Sequence, residues 1–170
     1  ILGGPAVSTP EQRKIFSDSL GEAIDYFVVG EGESILLELM RTYKSYRLNG
    51  DPEKEITSPV IVRKEISDLN ALPHPTYDEF DLSRYDGGSL FVEWSRGCIS
   101  SCAYCKGRQL HGRYRMKSAR YIVDELEFHY QRFHNNYFIV CDNLLNGNVR
   151  ELERVCDLLI EKRLPIQWEG

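Results

Sequence analysis

The run SRGCISSCAYC places Cys98, Cys102 and Cys105 within eight residues, spaced Cys-x3-Cys-x2-Cys. Thiolates are soft ligands suited to zinc or to iron–sulfur clusters. Three near neighbours leave one corner of a tetrahedral or cubane site open, and three readings follow. The thiols are unlinked, which the polar neighbours Arg96, Ser100, Ser101 and Lys106 argue against. They form a Cys3His zinc site closed by His111, although zinc knuckles and ribbons usually present Cys-x2-Cys pairs. Or they hold three irons of a 4Fe–4S cluster and leave the fourth iron to an outside ligand.

Other side chains are weighed beside them. Arg115 carries a planar fork that suits a carboxylate or a cluster's charge; a solvated basic loop is the competing reading. Lys106, Arg108, Arg113, Arg115 and Lys117 form a local basic run, solvated or serving an anionic small molecule. His74, His129 and His134 show no partner pattern, which leaves surface or core roles. Cys141 ends an apolar run and Cys156 lies on an apolar helical stripe, so both read as packing thiols. VVGEGES lacks the lysine and the glycine spacing of a phosphate loop.

The elements that must position the cysteines are legible from pattern. LFVEW reads as a strand entering the loop. Ser118 is placed to cap a helix with the stripe Ala119, Ile122, Val123, Leu126, Tyr130 and Phe133. YFIVC is the next strand, with Asp142 and Asn143 at its end. Asn148 and Glu151 resemble a capping box for a helix along Val149, Leu152, Val155, Cys156 and Leu159, and PIQWE opens a third strand. This β–loop–α–β–loop–α–β alternation belongs to a parallel α/β barrel or doubly wound sheet, whose ligands bind at the carboxyl ends of strands.

Before it, ILGGP, a helix over about Thr9 to Leu20, and DYFVV form a strand–helix–strand unit. SILLELMRTYKSY follows as a helix, with Ser34 placed to cap it and Ile35, Leu36, Leu39, Met40 and Tyr43 on its apolar face. From Leu48 to about Gly88, the Asn49-Gly50 turn and Pro52, Pro59, Pro73 and Pro75 interrupt any long element. SPVIVRK is a possible short strand there, and SDLNALPHPTYDEFDLSRY reads as a linker between domains.

Over the 170 residues, 42% are hydrophobic and 28% charged, an ordinary globular balance. A net charge of −5 gives no general attraction to nucleic acid or anionic membrane, so neither is an expected partner. Five clustered cysteines, an odd count, argue against a secreted disulfide framework and for a reducing cytoplasm. No run approaches the ~20 apolar residues of a membrane-spanning helix. The start at Ile1 inside an apolar run, and the end on a strand being entered, suggest a piece of a longer protein.

CISSCAYC, with Tyr104 before the last cysteine, resembles the signature of the radical S-adenosylmethionine superfamily. The flanking LFVEWSRGC, GRYRMKSARYIVDELE, FIVCDNLLNGNVRELERVCDLLIEK and IQWEG resemble that family's first strands and helices over roughly Leu90 to Gly170. ILGGP and VVGEGES, over about Ile1 to Glu33, resemble the closing strands of the cobalamin-binding Rossmann domain that precedes many such cores. The resemblance implies an α/β chain in three parts. The end of a Rossmann-like domain spans 1–33, a helix and Pro-rich linker 34–88, and the first β/α units of a partial TIM-type barrel 89–170.

The implied cofactors are a 4Fe–4S cluster on Cys98, Cys102 and Cys105, S-adenosylmethionine on its open iron, and possible cobalamin. Reductive cleavage of S-adenosylmethionine to a 5′-deoxyadenosyl radical is the implied chemistry, with methyl transfer its leading outcome. The resemblance puts Tyr104 beside the adenine. Asp142 and Asn143 stand where many relatives carry a Gly-Gly-Glu stretch for the methionyl ammonium; a turn role is the other reading of Asp142. Gly3 and Gly4 are the positions nearest cobalamin's nucleotide tail, and the family's cobalt-ligating Asp-x-His-x-x-Gly motif does not occur in these residues. The implied partners are a small-molecule or natural-product substrate and an electron donor such as flavodoxin or ferredoxin. A methylthiotransferase is a second reading within the family, but its extra N-terminal cysteines are not found here. A non-enzymatic Cys3His zinc module is the alternative outside it. Lacking the later strands, the chain is expected to bind a cluster and turn over poorly.

Overall fold

The computed structural model describes residues 1–49, 60–84, 88–105 and 111–170. Lys106, Arg108, Pro52 and Pro59 lie outside them, as does Gly50 of the expected turn. The chain divides into two units, Ile1–Ile66 and Ser67–Gly170.

In the first unit, β1 (Leu2–Gly3), β2 (Tyr26–Gly30) and β3 (Val60–Lys64) form a parallel sheet in the order β1-β2-β3. Central β2 buries Phe27, Val28 and Val29 in succession, as a strand covered on both faces does. Helix α1 (Pro10–Leu20) starts where Thr9 and Gln12 exchange hydrogen bonds in a capping box, with Pro10 at its first position. Helix α2 (Glu33–Asn49) begins before Ser34. Ser34 therefore lies inside the first turn instead of capping it, and its Oγ is buried without a partner among the described residues. Ile35 is buried, whereas Leu36, Met40 and Tyr43 on the expected apolar face are about half exposed.

The second unit is built on the parallel strands β4 (Leu90–Val92), β7 (Tyr137–Val140) and β8 (Gln167–Glu169), in that spatial order. Helices α3 (Ala119–Phe133) and α4 (Val149–Lys162) make the crossovers. Leu90, Val92, Trp94, Phe138 and Val140 pack with Ala119, Ile122, Val123, Leu126 and Val155 as one core. A small antiparallel ribbon, β5 (Ser95–Arg96) with β6 (Arg115–Met116), stands between β4 and α3. Ser118 caps α3 by accepting from Tyr121 N, as its position predicts. Among the described residues, no helix is long and apolar enough to cross a membrane.

The segment read as linker belongs to this second unit from Ser67 onward. Leu69 is buried in it, and Asn70 Oδ1 accepts Ser118 N at 2.8 Å. The His74 ring lies 4.6 Å from Tyr121, and Tyr77 stands edge-on to His129 at 5.3 Å while its hydroxyl donates to Phe91 O. Isolated anchors of this kind have no periodicity, so the pattern reads as linker while the segment straps α3.

Under the strap lies a buried polar group. Lys117 Nζ donates to Glu125 Oε2 at 2.8 Å, and His129 Nε2 lies 4.0 Å from Glu125 Oε1. Burial lowers the His129 pKa from 6.5 to about 4, with His74 and Lys117 adding to the effect. A base with a depressed folded pKa gives stability that is full above 6.5 and lost as pH falls toward 4. At about 1.4 kcal/mol per pH unit, that is about 3 kcal/mol. Glu125, raised by burial, contributes the opposite slope above its ordinary value. The expected result is therefore a difference: His129→Phe loses less stability than wild type in urea titrations stepped from pH 6.5 to 4. Parallel losses would refute it.

Candidate metal centre

The cysteine loop leaves the sheet where β4 turns into β5, at the carboxyl end of a parallel strand. Its two limbs are joined by the β5–β6 pairs Ser95↔Met116 and Arg96↔Arg115. Just past the ribbon, Gly97 adopts φ +77°. A Cβ there would lie 2.8 Å from Gly112 O, and closer still to Arg113 O. The entry limb thus crosses the exit limb at a distance only glycine permits.

Arg115 closes the loop from inside. Its Nε donates to Arg113 O at 3.2 Å and its η nitrogen to His111 O at 2.8 Å. The guanidinium that could have faced a carboxylate is thus used in part to hold backbone carbonyls of the loop's exit limb. Arg96 pairs with Glu93 at 2.7 Å. Lys117, expected among solvated bases, is buried and paired with Glu125, because it sits at the base of α3 under the strap.

Cys98 is partly buried, and its Sγ accepts Ser100 N at 3.4 Å. Cys102 and Cys105 are exposed and share a turn, with Cys105 N donating to Cys102 O at 3.0 Å. Tyr104 is 91% exposed, standing out from the loop. None of the five cysteines is disulfide-bonded. Among the described residues, no group of three or more His, Cys, Asp or Glu side chains is drawn together closely enough to hold a metal ion. The structure therefore brings the three cysteines into one loop without gathering them. His111 enters the loop's bonding through its carbonyl.

The donor set suits a cluster. Three unbridged thiols lie in one loop, two of them open to solvent, and one already accepts an amide N–H, an interaction that tunes cluster sulfurs.

Across from the loop, Asp142 follows β7. Its Oδ1 accepts Trp94 N at 2.9 Å and its Oδ2 accepts Ser95 Oγ at 2.7 Å. Burial raises its pKa, against the pull of the Ser95 and Trp94 bonds. The carboxylate thereby ties the end of β7 to the root of the cysteine loop. Asn143 beside it is exposed. Cys141, expected to pack, is exposed instead. Since Phe138 and Val140 are buried in the helix-side core, strand alternation turns Cys141 to the opposite face with Ile139 and Phe91. Partial desolvation of its sulfur and the neighbouring Asp142 and Glu93 charges push its thiol pKa up. Gly3 and Gly4 lie in the first unit, at the carboxyl end of β1, with Gly4 at φ +85°.

The sequence reading missed Gly97, Gly147 and the Lys117–Glu125 pair. Gly97 directly precedes the first cysteine, but its residue type alone does not announce a crossing of two limbs. Lys117 and Glu125 are eight residues apart and look like solvated charges until the strap covers them.

No protein-family model matches the chain. An uncharacterised methyltransferase from Synechocystis is 30% identical to it, over 99% of this chain and 27% of the relative. Anaerobic magnesium-protoporphyrin IX monomethyl ester cyclases are 26% identical in Cereibacter sphaeroides and 24% in Rubrivivax gelatinosus, over 91% and 85% of this chain. The matches cover 28% and 29% of those two proteins, so the chain spans less than a third of the curated relatives. Among solved structures, it is similar to the cobalamin-dependent S-adenosylmethionine radical enzyme OxsB, solved with aqua-cobalamin and S-adenosylmethionine bound. That likeness has a TM-score of 0.48 and 17% identity, over 96% of this chain and 32% of OxsB.

Proposed function

Because the chain belongs to the radical S-adenosylmethionine superfamily, in its cobalamin-binding-domain group, we propose that it carries the cluster-binding part of an enzyme that cleaves S-adenosylmethionine reductively. The observation that carries this reading is the trio of cysteines, none in a disulfide, in one clasped loop at the carboxyl end of β4. Cys98, Cys102 and Cys105 would hold three irons. A 4Fe–4S cluster held there would supply the single electron for reductive cleavage of S-adenosylmethionine into methionine and a 5′-deoxyadenosyl radical.

The chain's own residues have narrower tasks. Arg115 and Gly97 hold the loop's limbs together, and Asp142 fixes the neighbouring loop to Ser95. Tyr104, Asp142 and Asn143 are the residues assigned to S-adenosylmethionine, and Gly3 and Gly4 those assigned to cobalamin. Methyl transfer to a small-molecule or natural-product substrate is the outcome favoured by the methyltransferase relative. The electron donor is a flavodoxin- or ferredoxin-type protein. The compartment is a reducing cytoplasm, in keeping with five unbridged cysteines.

Anaerobic reconstitution tests the reading. Wild type should turn brown and take up about four irons and four sulfides per chain. Cys102→Ala should abolish this uptake, and His111→Ala should leave it intact. Stoichiometric zinc without sulfide, lost in His111→Ala, would instead establish the zinc module.

A further inference from the structure

The cysteine loop and the loop after β7 meet at one place that the sequence reading left unassigned. Gly147 lies close against the ring of Tyr114. A Cβ on Gly147 would stand 2.5 Å from Tyr114 Cζ and 2.9 Å from Cδ2, with Cε2 nearer still. Those are ring carbons that cannot swing aside as a chain end would. Tyr114 is the last residue of the cysteine loop's exit limb before β6, and its hydroxyl donates to the Met116 thioether Sδ at 3.3 Å. Burial raises its pKa, opposed by hydrogen bonding from the Ser95 hydroxyl, and the Asp142 charge and the Asn148 backbone also act on it.

Ser95 connects the remaining parts. Its Oγ donates to Asp142 Oδ2 at 2.7 Å and lies 3.2 Å from Leu144 O. Asn148, next to Gly147, caps α4 by accepting Glu151 N. Entry limb, exit limb and the 142–148 loop are therefore interlocked through Ser95, Tyr114 and Gly147. None of the three is a cysteine.

We infer that Tyr114 and Gly147 are positioning residues that set the 142–148 loop at a fixed height against the cysteine loop, and so determine how tightly S-adenosylmethionine is held between them. This rests on the radical S-adenosylmethionine reading above. Sites of this kind need placement within about 0.5 Å, and a displacement of about 1 Å can cost about 100-fold. An added methyl at Gly147 must move one loop off the other by a comparable amount.

The experiment uses the reconstituted chain, with iron and sulfide content measured beside S-adenosylmethionine affinity, read from the ligand's effect on the reduced cluster's electron paramagnetic resonance. Gly147→Ala should keep wild-type iron and sulfide yet bind S-adenosylmethionine about tenfold or more weakly. Tyr114→Leu should do the same, and the double variant should be no worse than the weaker single, the non-additivity expected of one contact. Should Gly147→Ala fail to fold, Tyr114→Leu carries the same expectation alone. Variants that bind S-adenosylmethionine as wild type does, or that lose iron in parallel with affinity, overturn the inference and leave the functional reading standing. A wild-type chain that takes up no cluster, or whose cluster never responds to S-adenosylmethionine, overturns both.

Discussion

Lys117→Met should remove about 3–5 kcal/mol of unfolding free energy from the second unit, the cost of stranding one partner of a buried ion pair. The two side chains are only 4% and 1% exposed, with Nζ 2.8 Å from Glu125 Oε2. Glu125 Oε1 has no hydrogen-bond partner among the described residues. Without the ammonium, only the weaker pull of His74 offsets the carboxylate, because burial also holds His129 neutral. The chain's two tryptophans, Trp94 and Trp168, lie 4.9 Å apart in this unit, so urea unfolding followed by their fluorescence reports on it directly.

The pH dependence of that deficit separates electrostatics from lost packing. Burial raises the Glu125 pKa, and the Lys117 ammonium opposes the rise. Removing the ammonium lets the folded pKa climb further above the ordinary 4.5. A raised carboxyl pKa gives a penalty that is absent below the unfolded value and grows as pH rises through the folded one. The gap between variant and wild type should therefore be widest at neutral pH and shrink toward pH 4.5. Lys117→Met combined with Glu125→Leu should recover most of the loss, since well-packed apolar replacements of buried ion pairs are often neutral or stabilising. A gap that does not change with pH, or a double variant as unstable as the single, would show that the pair does not act this way.

This pair also marks a limit of sequence reading. Helix α3 was legible because Ser118 and a stripe at 3.6-residue spacing state both its start and its buried face. The alternation of β4, β7 and β8 with helices was legible from the change of hydrophobic period, and the structure gives their spatial order. Asn148 was legible as a cap, but Glu151 only in part. Asn148 Oδ1 accepts Glu151 N as expected, while the Glu151 carboxylate accepts Ala119 N at 2.6 Å. It caps the neighbouring helix, because the two amino termini stand side by side and both favour a negative charge. Contacts between elements of this kind depend on packing, which local patterns do not encode. The strap over α3 was hidden for the same reason, since Leu69, His74 and Tyr77 are anchors with no shared period. The three cysteines were legible as a candidate ligand set because residue type and spacing alone suggest one. What holds their loop was not.

Gly97→Ala tests that hold, and it should reduce iron uptake on reconstitution to below about half of wild type even though every cysteine is retained. Two costs act together. At φ +77°, a side chain adds strain of about 1–3 kcal/mol. Its Cβ would also press on the backbone of the exit limb, 2.7 Å from Arg113 C and 2.8 Å from Gly112 O. Backbone cannot yield as a flexible side chain does, so the limbs must part. The ribbon that would resist them has only two residue pairs, Ser95↔Met116 and Arg96↔Arg115. Parting them also pulls on the Arg115 bonds to Arg113 O and His111 O, which span the same place. Cys98 follows Gly97 directly, so its sulfur moves relative to Cys102 and Cys105 while the Lys117–Glu125 pair beneath α3 is untouched. The tryptophan-monitored urea midpoint should accordingly change far less than in Lys117→Met. Full iron and sulfide uptake by Gly97→Ala would mean that the crossing of the limbs does not shape the thiol trio.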